Sequence, residues 1–161
     1  MFKHVSKVGL IALVIVALFQ IDVRLIAQAN AADALIGDWE MDRSKSTFPG
    51  AAPEWRKMKF EKTPTGVKHT VDSMVGEVVQ KLAYTFQVDG KDYPADVQMA
   101  VNTVAFKKVD ANTYERLGKY QGNPLETVTI TLSNGGKTLT WEQRLTTNPD
   151  VVNSSQVYNK K

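Results

Sequence analysis

The sequence contains no cysteine. No disulfide can therefore stabilise the fold, no thiolate can bind a metal or attack a substrate, and the lipid that anchors bacterial lipoproteins has no acceptor. Stability must come from packing alone. Residues 32–161 are long enough to form one domain with a sizeable core.

Histidine is almost as scarce, since His4 and His69 are the two in the sequence. A histidine-based metal site or catalytic triad needs partners that the chain beyond its leader does not offer. His69 lies on the apolar side of a predicted strand. We expect a structural or lumen-facing histidine there, with a polar contact to a ligand head group as the alternative.

Motifs of common catalytic sites are also missing. The sequence has no glycine-rich phosphate loop, no serine elbow and no cluster of carboxylates at metal-binding spacing. Glu126 and Glu77 are the acidic residues whose position in the strand alternation suggests an inward side chain, and we expect both at strand ends. The prediction is therefore a protein that is not an enzyme and has no cofactor and no metal.

The excess of positive charge is small once the leader is set aside. The chain has 20 basic and 17 acidic residues, of which three basic and one acidic belong to residues 1–31. The remaining 17 and 16 give a net charge of +1. A nucleic-acid-binding protein normally concentrates basic residues on one face, so we expect no nucleic-acid partner.

The first 31 residues have the features of a secretory signal peptide. Lys3 and Lys7 form a basic start, residues 8–21 form an apolar run, and Ala29-Asn30-Ala31 is a small-x-small cleavage site. The alternative is a membrane anchor, but a bilayer core needs about 20 apolar residues and this run has 14. We predict cleavage after Ala31, a periplasmic or secreted domain of residues 32–161, and no membrane span after cleavage.

Apolar residues in the rest of the chain recur with a period of two. Trp39 and Met41 share one face of the first segment while Asp38, Glu40 and Asp42 share the other, which is the pattern of a half-buried strand. Further segments repeat the alternation, and turn-forming residues separate them at short intervals. Those turns include 64–66, 89–90, 110–112, 122–124, 134–136 and 148–149.

These segments predict eight to ten antiparallel strands with one apolar face. Such a sheet either closes into a barrel or folds into two packed layers, and closure removes edges that favour aggregation. The usual landmark of the sandwich, a cysteine pair around a buried tryptophan, is missing. Two stretches do not alternate: residues 44–54 predict a loop or short helix, and residues 93–102 a helical turn or flap, with 93–99 as a possible lid.

Two short motifs carry a resemblance to a known family. Gly37-Asp38-Trp39, at the head of the first strand, resembles the glycine-x-tryptophan signature of lipocalins and their calycin relatives. The longer run 37–49 and the turn 89–94 are similar to those of small exported bacterial lipocalin-like proteins. The resemblance implies an all-β, antiparallel up-and-down lipocalin-like β-barrel, in which Trp39 plugs one end, Gly37 leaves room for the entering chain, and Arg144 or Arg116 packs over Trp39.

A lipocalin-like barrel implies a ligand in its lumen. We expect a small apolar or amphiphilic molecule, because several inward positions combine flexible methionine with amphipathic tyrosine and histidine. The alternatives are a non-catalytic interaction or stress module with a filled core, and a barrel enzyme that uses His69 and Glu126. The candidate lumen residues are Met41, Met58, Phe60, His69, Val71, Tyr84, Phe86, Phe106 and Trp141.

Overall fold

The computed structural model describes residues 31–95 and 100–161. The predicted signal peptide, apart from Ala31, lies outside the described residues, as do residues 96–99 of the predicted lid. Within the described ranges, no helix has the length and apolar character needed to cross a bilayer.

The described residues form ten β-strands. Their bounds are β1 (Gly37–Thr47), β2 (Trp55–Thr63), β3 (Gly66–Val75), β4 (Val78–Phe86), β5 (Asp92–Pro94), β6 (Thr103–Lys108), β7 (Thr113–Tyr120), β8 (Asn123–Ser133), β9 (Thr138–Leu145) and β10 (Ser154–Lys160). A 3₁₀ turn, Asn134–Gly136, connects β8 to β9. The all-β class and the number of strands predicted from the sequence are confirmed.

The strands form one antiparallel sheet in the order β4-β3-β2-β1-β10-β9-β8-β7-β6-β5. Strands that are neighbours in the chain are neighbours in the sheet, and β1 also pairs with β10. This is the up-and-down connectivity of a nearly closed barrel. The seam lies between β4 and the β5–β6 hairpin, where the Gly90 amide donates to the Phe106 carbonyl at 2.8 Å and the Phe86 and Phe106 rings stack at 3.7 Å.

The two stretches without alternation contain more strand than the sequence predicts. β1 continues to Thr47, because the Ser46 hydroxyl accepts a hydrogen bond from the Val157 amide at 3.0 Å and donates to the Asp42 carbonyl at 2.8 Å. These side-chain bonds continue the contact with β10 past an irregularity in the register. Tyr93 and its neighbours form β5 and pair with β6, so the prediction of a helical turn or flap was wrong for residues 93–94.

The two ends of the barrel are filled differently. We call the end where β1 begins the closed end, and the end where β1 finishes the mouth end. Large side chains pack the closed half, where the buried Leu35 lies beside Trp39. The buried residues that pack this half of the lumen include Phe60, Val67, Phe86, Phe106, Tyr114, Ile130, Leu132 and Leu139.

Trp39 plugs the closed end, as the family resemblance implies. Its ring is 1% exposed, and its indole nitrogen donates to the Leu35 carbonyl at 2.8 Å. The cation over its ring is Lys160, with Nζ 5.1 Å from the ring centroid, so the expectation of Arg144 or Arg116 at this position was wrong. Gly37 makes this possible, because a Cβ there would lie 2.6 Å from Lys160 Cε and its φ is +138°.

Candidate functional site

A cavity of about 250 Å³ occupies the mouth half of the lumen. Exposed Gln80 and Ala100 belong to its wall, so the cavity communicates with solvent. Its apolar lining residues are Met58, Val71, Leu82, Ala100, Val101 and Trp141, and its polar lining residues are Arg56, His69, Ser73, Gln80, Tyr84, Arg116, Glu126, Gln143, Gln156 and Tyr158.

The structure divides the candidate residues of the sequence analysis into two groups. The candidates that line the cavity are Met58, His69, Val71, Tyr84 and Trp141. Phe60, Phe86 and Phe106 are instead fully buried in the closed half, and Met41 is half-buried against the core. Gly37 and Trp39 lie at the closed end, away from the cavity.

His69 sits at the boundary between the packed half and the cavity. Its ring stacks on Phe60 with the centroids 4.2 Å apart and the planes at 2°, and Nδ1 shares a 2.8 Å hydrogen bond with the Tyr84 hydroxyl. Burial, with a smaller contribution from the Arg116 charge, lowers the pKa of His69 to about 3. The imidazole is therefore neutral at physiological pH.

Burial has the opposite effect on the pKa of Tyr84. Loss of solvent raises the pKa of its hydroxyl to about 12, with the Arg116 charge opposing the shift. Both members of the His69–Tyr84 pair are consequently neutral, and their bond is one between uncharged groups. The other ring nitrogen of His69, Nε2, is buried and has no hydrogen-bond partner among the described residues.

Arg116 is the buried cation of the cavity. Its side chain is 3% exposed, it forms an ion pair with Glu126, and its guanidinium carbon lies 5.3 Å from the centre of the Trp141 ring. Glu126 also accepts a hydrogen bond from the amide nitrogen of Gln143. Gly118 leaves space for this arrangement, because a Cβ there would lie 2.9 Å from Glu126 Cγ.

A chain of hydrogen bonds continues from this pair across β9 and β10. The Ser154 hydroxyl donates to Gln143 Oε1 at 3.2 Å and accepts from Gln156 Nε2 at 3.4 Å. Gln156 Oε1 in turn accepts from Arg56 Nη1 at 2.8 Å and from the Tyr158 hydroxyl at 2.6 Å. Burial raises the pKa of Tyr158 to about 12, so its hydroxyl stays protonated and can donate this bond.

Several donors at the cavity remain without acceptors. Arg116 Nε and Nη1 and Arg56 Nε are buried and have no partner among residues 31–95 and 100–161. A buried donor without a partner costs about 1–3 kcal/mol. A molecule that supplies acceptors at these atoms recovers that cost, so the arrangement favours a ligand with a polar end.

The acidic residues near the cavity are either exposed or engaged by neighbouring side chains. No group of three histidine, cysteine or carboxylate side chains that could hold a metal ion occurs among the described residues. Glu77 is exposed in the turn between β3 and β4, and Glu126 is committed to Arg116 and Gln143. The geometry is that of a cavity with a polar network along one side.

Most of the polar network was not predicted from the sequence. The candidate residues did not include Arg56, Gln143 or Gln156, and Arg116 was expected to contact Trp39 instead. The alternation contains the signal, because each of these residues lies two positions from an inward aromatic or apolar side chain. These positions were overlooked because only apolar, aromatic and histidine side chains were considered as lumen residues.

No protein-family model matches the chain, and a search of curated proteins found no significant match.

Proposed function

We propose that the barrel binds one small amphiphilic molecule in the cavity of its mouth half. The observation that carries the proposal is the combination, within one cavity, of unsatisfied guanidinium donors on Arg116 with the apolar surfaces of Trp141, Val71 and Leu82. Ligand cavities of proteins combine apolar surface with polar groups that fix orientation, and the lining of this cavity contains both.

The size of the cavity limits the ligand. A volume of about 250 Å³ corresponds to roughly eight water molecules and lies just below the usual range of small-molecule pockets. The cavity therefore accommodates a head group and a short apolar segment. A ligand with a longer apolar chain would extend out of the cavity at the mouth end. There, Val78, Tyr120 and Leu145 expose apolar surface on the inward side of their strands.

The proposed role is binding without catalysis. A general base works best with a pKa near the operating pH, whereas the pKa of His69 is lowered to about 3 by burial. Both carboxylate oxygens of Glu126 are already engaged, one by Arg116 and the other by the Gln143 amide. These contacts favour a carrier or sensor over an enzyme.

Export and membership in the lipocalin-like group complete the proposal. Export rests on the leader sequence, and membership on the glycine-x-tryptophan motif with Trp39 at the closed end. Ala32 is fully buried and the Ala31 carbonyl accepts a hydrogen bond from Tyr114 at 2.8 Å, so cleavage after Ala31 would create a charged amino group in a buried position. Cleavage two residues earlier, after Ala27-Gln28-Ala29, would preserve both contacts.

A cavity-filling substitution tests binding in the lumen. Val71→Phe adds a ring inside the cavity, and Thr70→Phe adds the same ring on the outer face of the same strand. Titration calorimetry with octanamide and with octanoate should show saturable binding to the native protein and to Thr70→Phe, and a loss of about tenfold or more in affinity for Val71→Phe.

The controls separate loss of binding from loss of folding. Circular dichroism must show the same β-sheet spectrum for both variants, and Leu82→Phe provides a second cavity-filling change from the neighbouring strand. If neither compound binds the native protein, the lumen is not a site for such molecules and the interaction-module alternative gains support. Equal affinity of the native protein, Val71→Phe and Leu82→Phe would place the binding site elsewhere.

A further inference from the structure

The arrangement of charges and donors around Arg116 specifies the head group of the ligand. Two of its nitrogen atoms, Nε and Nη1, are buried without an acceptor among the described residues, while Nη2 donates to Glu126. Guanidinium N–H groups only donate. The part of the ligand that reaches Arg116 must therefore offer acceptor atoms.

The charge of Arg116 is already balanced. Glu126 forms the ion pair with it, and both carboxylate oxygens are engaged, one by Arg116 and the other by the Gln143 amide. His69 and Tyr84, which face the same region, are neutral. An anionic head group would thus stand beside a second carboxylate in a buried setting, where like charges repel strongly.

The remaining charged group of the cavity lies at the other end of the hydrogen-bonded chain. Arg56 is separated from Glu126 by Gln156, Ser154 and Gln143, and its guanidinium carbon lies 5.9 Å from the centre of the Phe48 ring. Arg56 is half-buried, whereas Arg116 is fully buried, so solvent screens its charge more effectively.

We infer that the cavity selects an amphiphile with an uncharged carbonyl head group, such as an amide, ester or ketone, over one with a carboxylate. This inference rests on the proposed function. The carbonyl oxygen has two lone pairs for the free Arg116 donors and adds no charge next to Glu126. The apolar part of the molecule then lies against Trp141 and Leu82 and runs toward the mouth end.

A series of probes with eight carbons and different head groups tests the inference. Octanamide, 2-octanone and methyl heptanoate carry neutral carbonyl groups, and octanoate at pH 7.5 carries a carboxylate. Titration calorimetry on the native protein should give dissociation constants at least about tenfold lower for the neutral compounds than for octanoate. This comparison requires no substitution.

A single substitution should reverse the order of affinities between the neutral probes and octanoate. Glu126→Gln keeps the shape of the side chain but leaves the Arg116 charge unbalanced, so octanoate should gain affinity and become the preferred probe. Glu142→Gln is the matched control, because Glu142 faces outward on the next strand and pairs with Arg144. That variant should retain the native order of affinities.

The possible outcomes are distinguishable. Tightest binding of octanoate to the native protein would overturn the head-group inference and leave lumen binding intact. Equal binding of all four probes would also overturn the inference, since the head group would then not meet Arg116. Absence of binding by every probe would overturn the proposed function and the inference together. If Glu126→Gln does not fold, the order measured on the native protein still decides.

Discussion

At the scale of single residues, the unusual feature of this barrel is a cation buried inside the lumen. Arg116 is 2% exposed and retains two unsatisfied donors. Burying a charge is tolerated only when the charge is paired and hydrogen-bonded, and Glu126 supplies the pairing. Removing Glu126 would lower the free energy of unfolding by more than the ion pair itself contributes, since it leaves the Arg116 charge buried and unbalanced.

His69 gives a prediction for the pH dependence of stability. Its pKa is about 3 in the folded protein and about 6.5 in the unfolded chain, so the unfolded chain binds the proton first as pH falls. The free energy of unfolding should decrease as pH falls below about 6.5, by about 2 kcal/mol between pH 7 and pH 5.

Urea denaturation at a series of pH values measures this slope. The carboxylates with shifted pKa values, Glu40, Asp42, Glu61 and Asp110, have ordinary pKa values at or below 4.5 and titrate at lower pH. His69→Gln should therefore flatten the curve between pH 7 and pH 5, whatever its effect on absolute stability. A native protein with no slope in this range would contradict a neutral, buried His69.

At the scale of strands, β1 shows how one element serves both faces of the sheet. Trp39 and Met41 face the core while Asp38 and Glu40 face outward, and Glu40 pairs with the exposed Lys161. Pairing of β1 with both β2 and β10 makes it a central strand of the sheet. Its inward Trp39 contacts Leu35 at the closed end and belongs to the buried core.

Trp39→Ala should destabilise the protein by about 3–5 kcal/mol, because it opens a cavity in the packed half and removes the hydrogen bond to Leu35. Glu40→Ala, one residue further, should have only a small effect, since solvent screens its pair with Lys161. Guanidinium denaturation of the two variants checks the difference. Equal losses would mean that the two faces of β1 are assigned incorrectly.

Strand alternation predicted most of the elements, and local chemistry explains the exceptions. The period of two placed Trp39, Phe60 and Tyr84 on the inner face because apolar residues recur there. The turn at Gly76 and Glu77 was missed, as it lacks the proline, asparagine or aspartate of the other turns, although Gly76 has a φ of +59°. The end of β1 was missed because a hydrogen bond to the Ser46 side chain, not an apolar pattern, connects it to β10.

At the scale of the whole molecule, the barrel combines a packed half with a hollow half. Stacked aromatic rings such as Phe86 and Phe106 fill the closed half and close the seam between β4 and β6. Smaller or polar side chains, such as Ser73 and Gln143, line the mouth half and leave the cavity. The packed half can therefore provide stability while the mouth half keeps the cavity in which binding is proposed.

The site was less predictable than the fold for a physical reason. Apolar residues on one face of a strand indicate burial, but whether they fill a lumen or surround a cavity depends on how side chains from distant strands meet. Phe60 and Val71 have the same position in the pattern, yet Phe60 packs on Phe86 and Val71 borders the cavity. The ion pair between Arg116 and Glu126 likewise forms only when β7 and β8 come together in the barrel.

The three tryptophans, Trp39, Trp55 and Trp141, provide the most direct test of this division. Each gives one indole N–H signal in a ¹⁵N-labelled protein, and Trp→Phe variants assign the signals. On titration with octanamide, the Trp141 signal should shift to saturation while that of Trp39, bonded to Leu35 at the closed end, stays in place. A shift of Trp39 as large as that of Trp141, or no shift of Trp141 at all, would contradict a filled closed half and a ligand-binding mouth half.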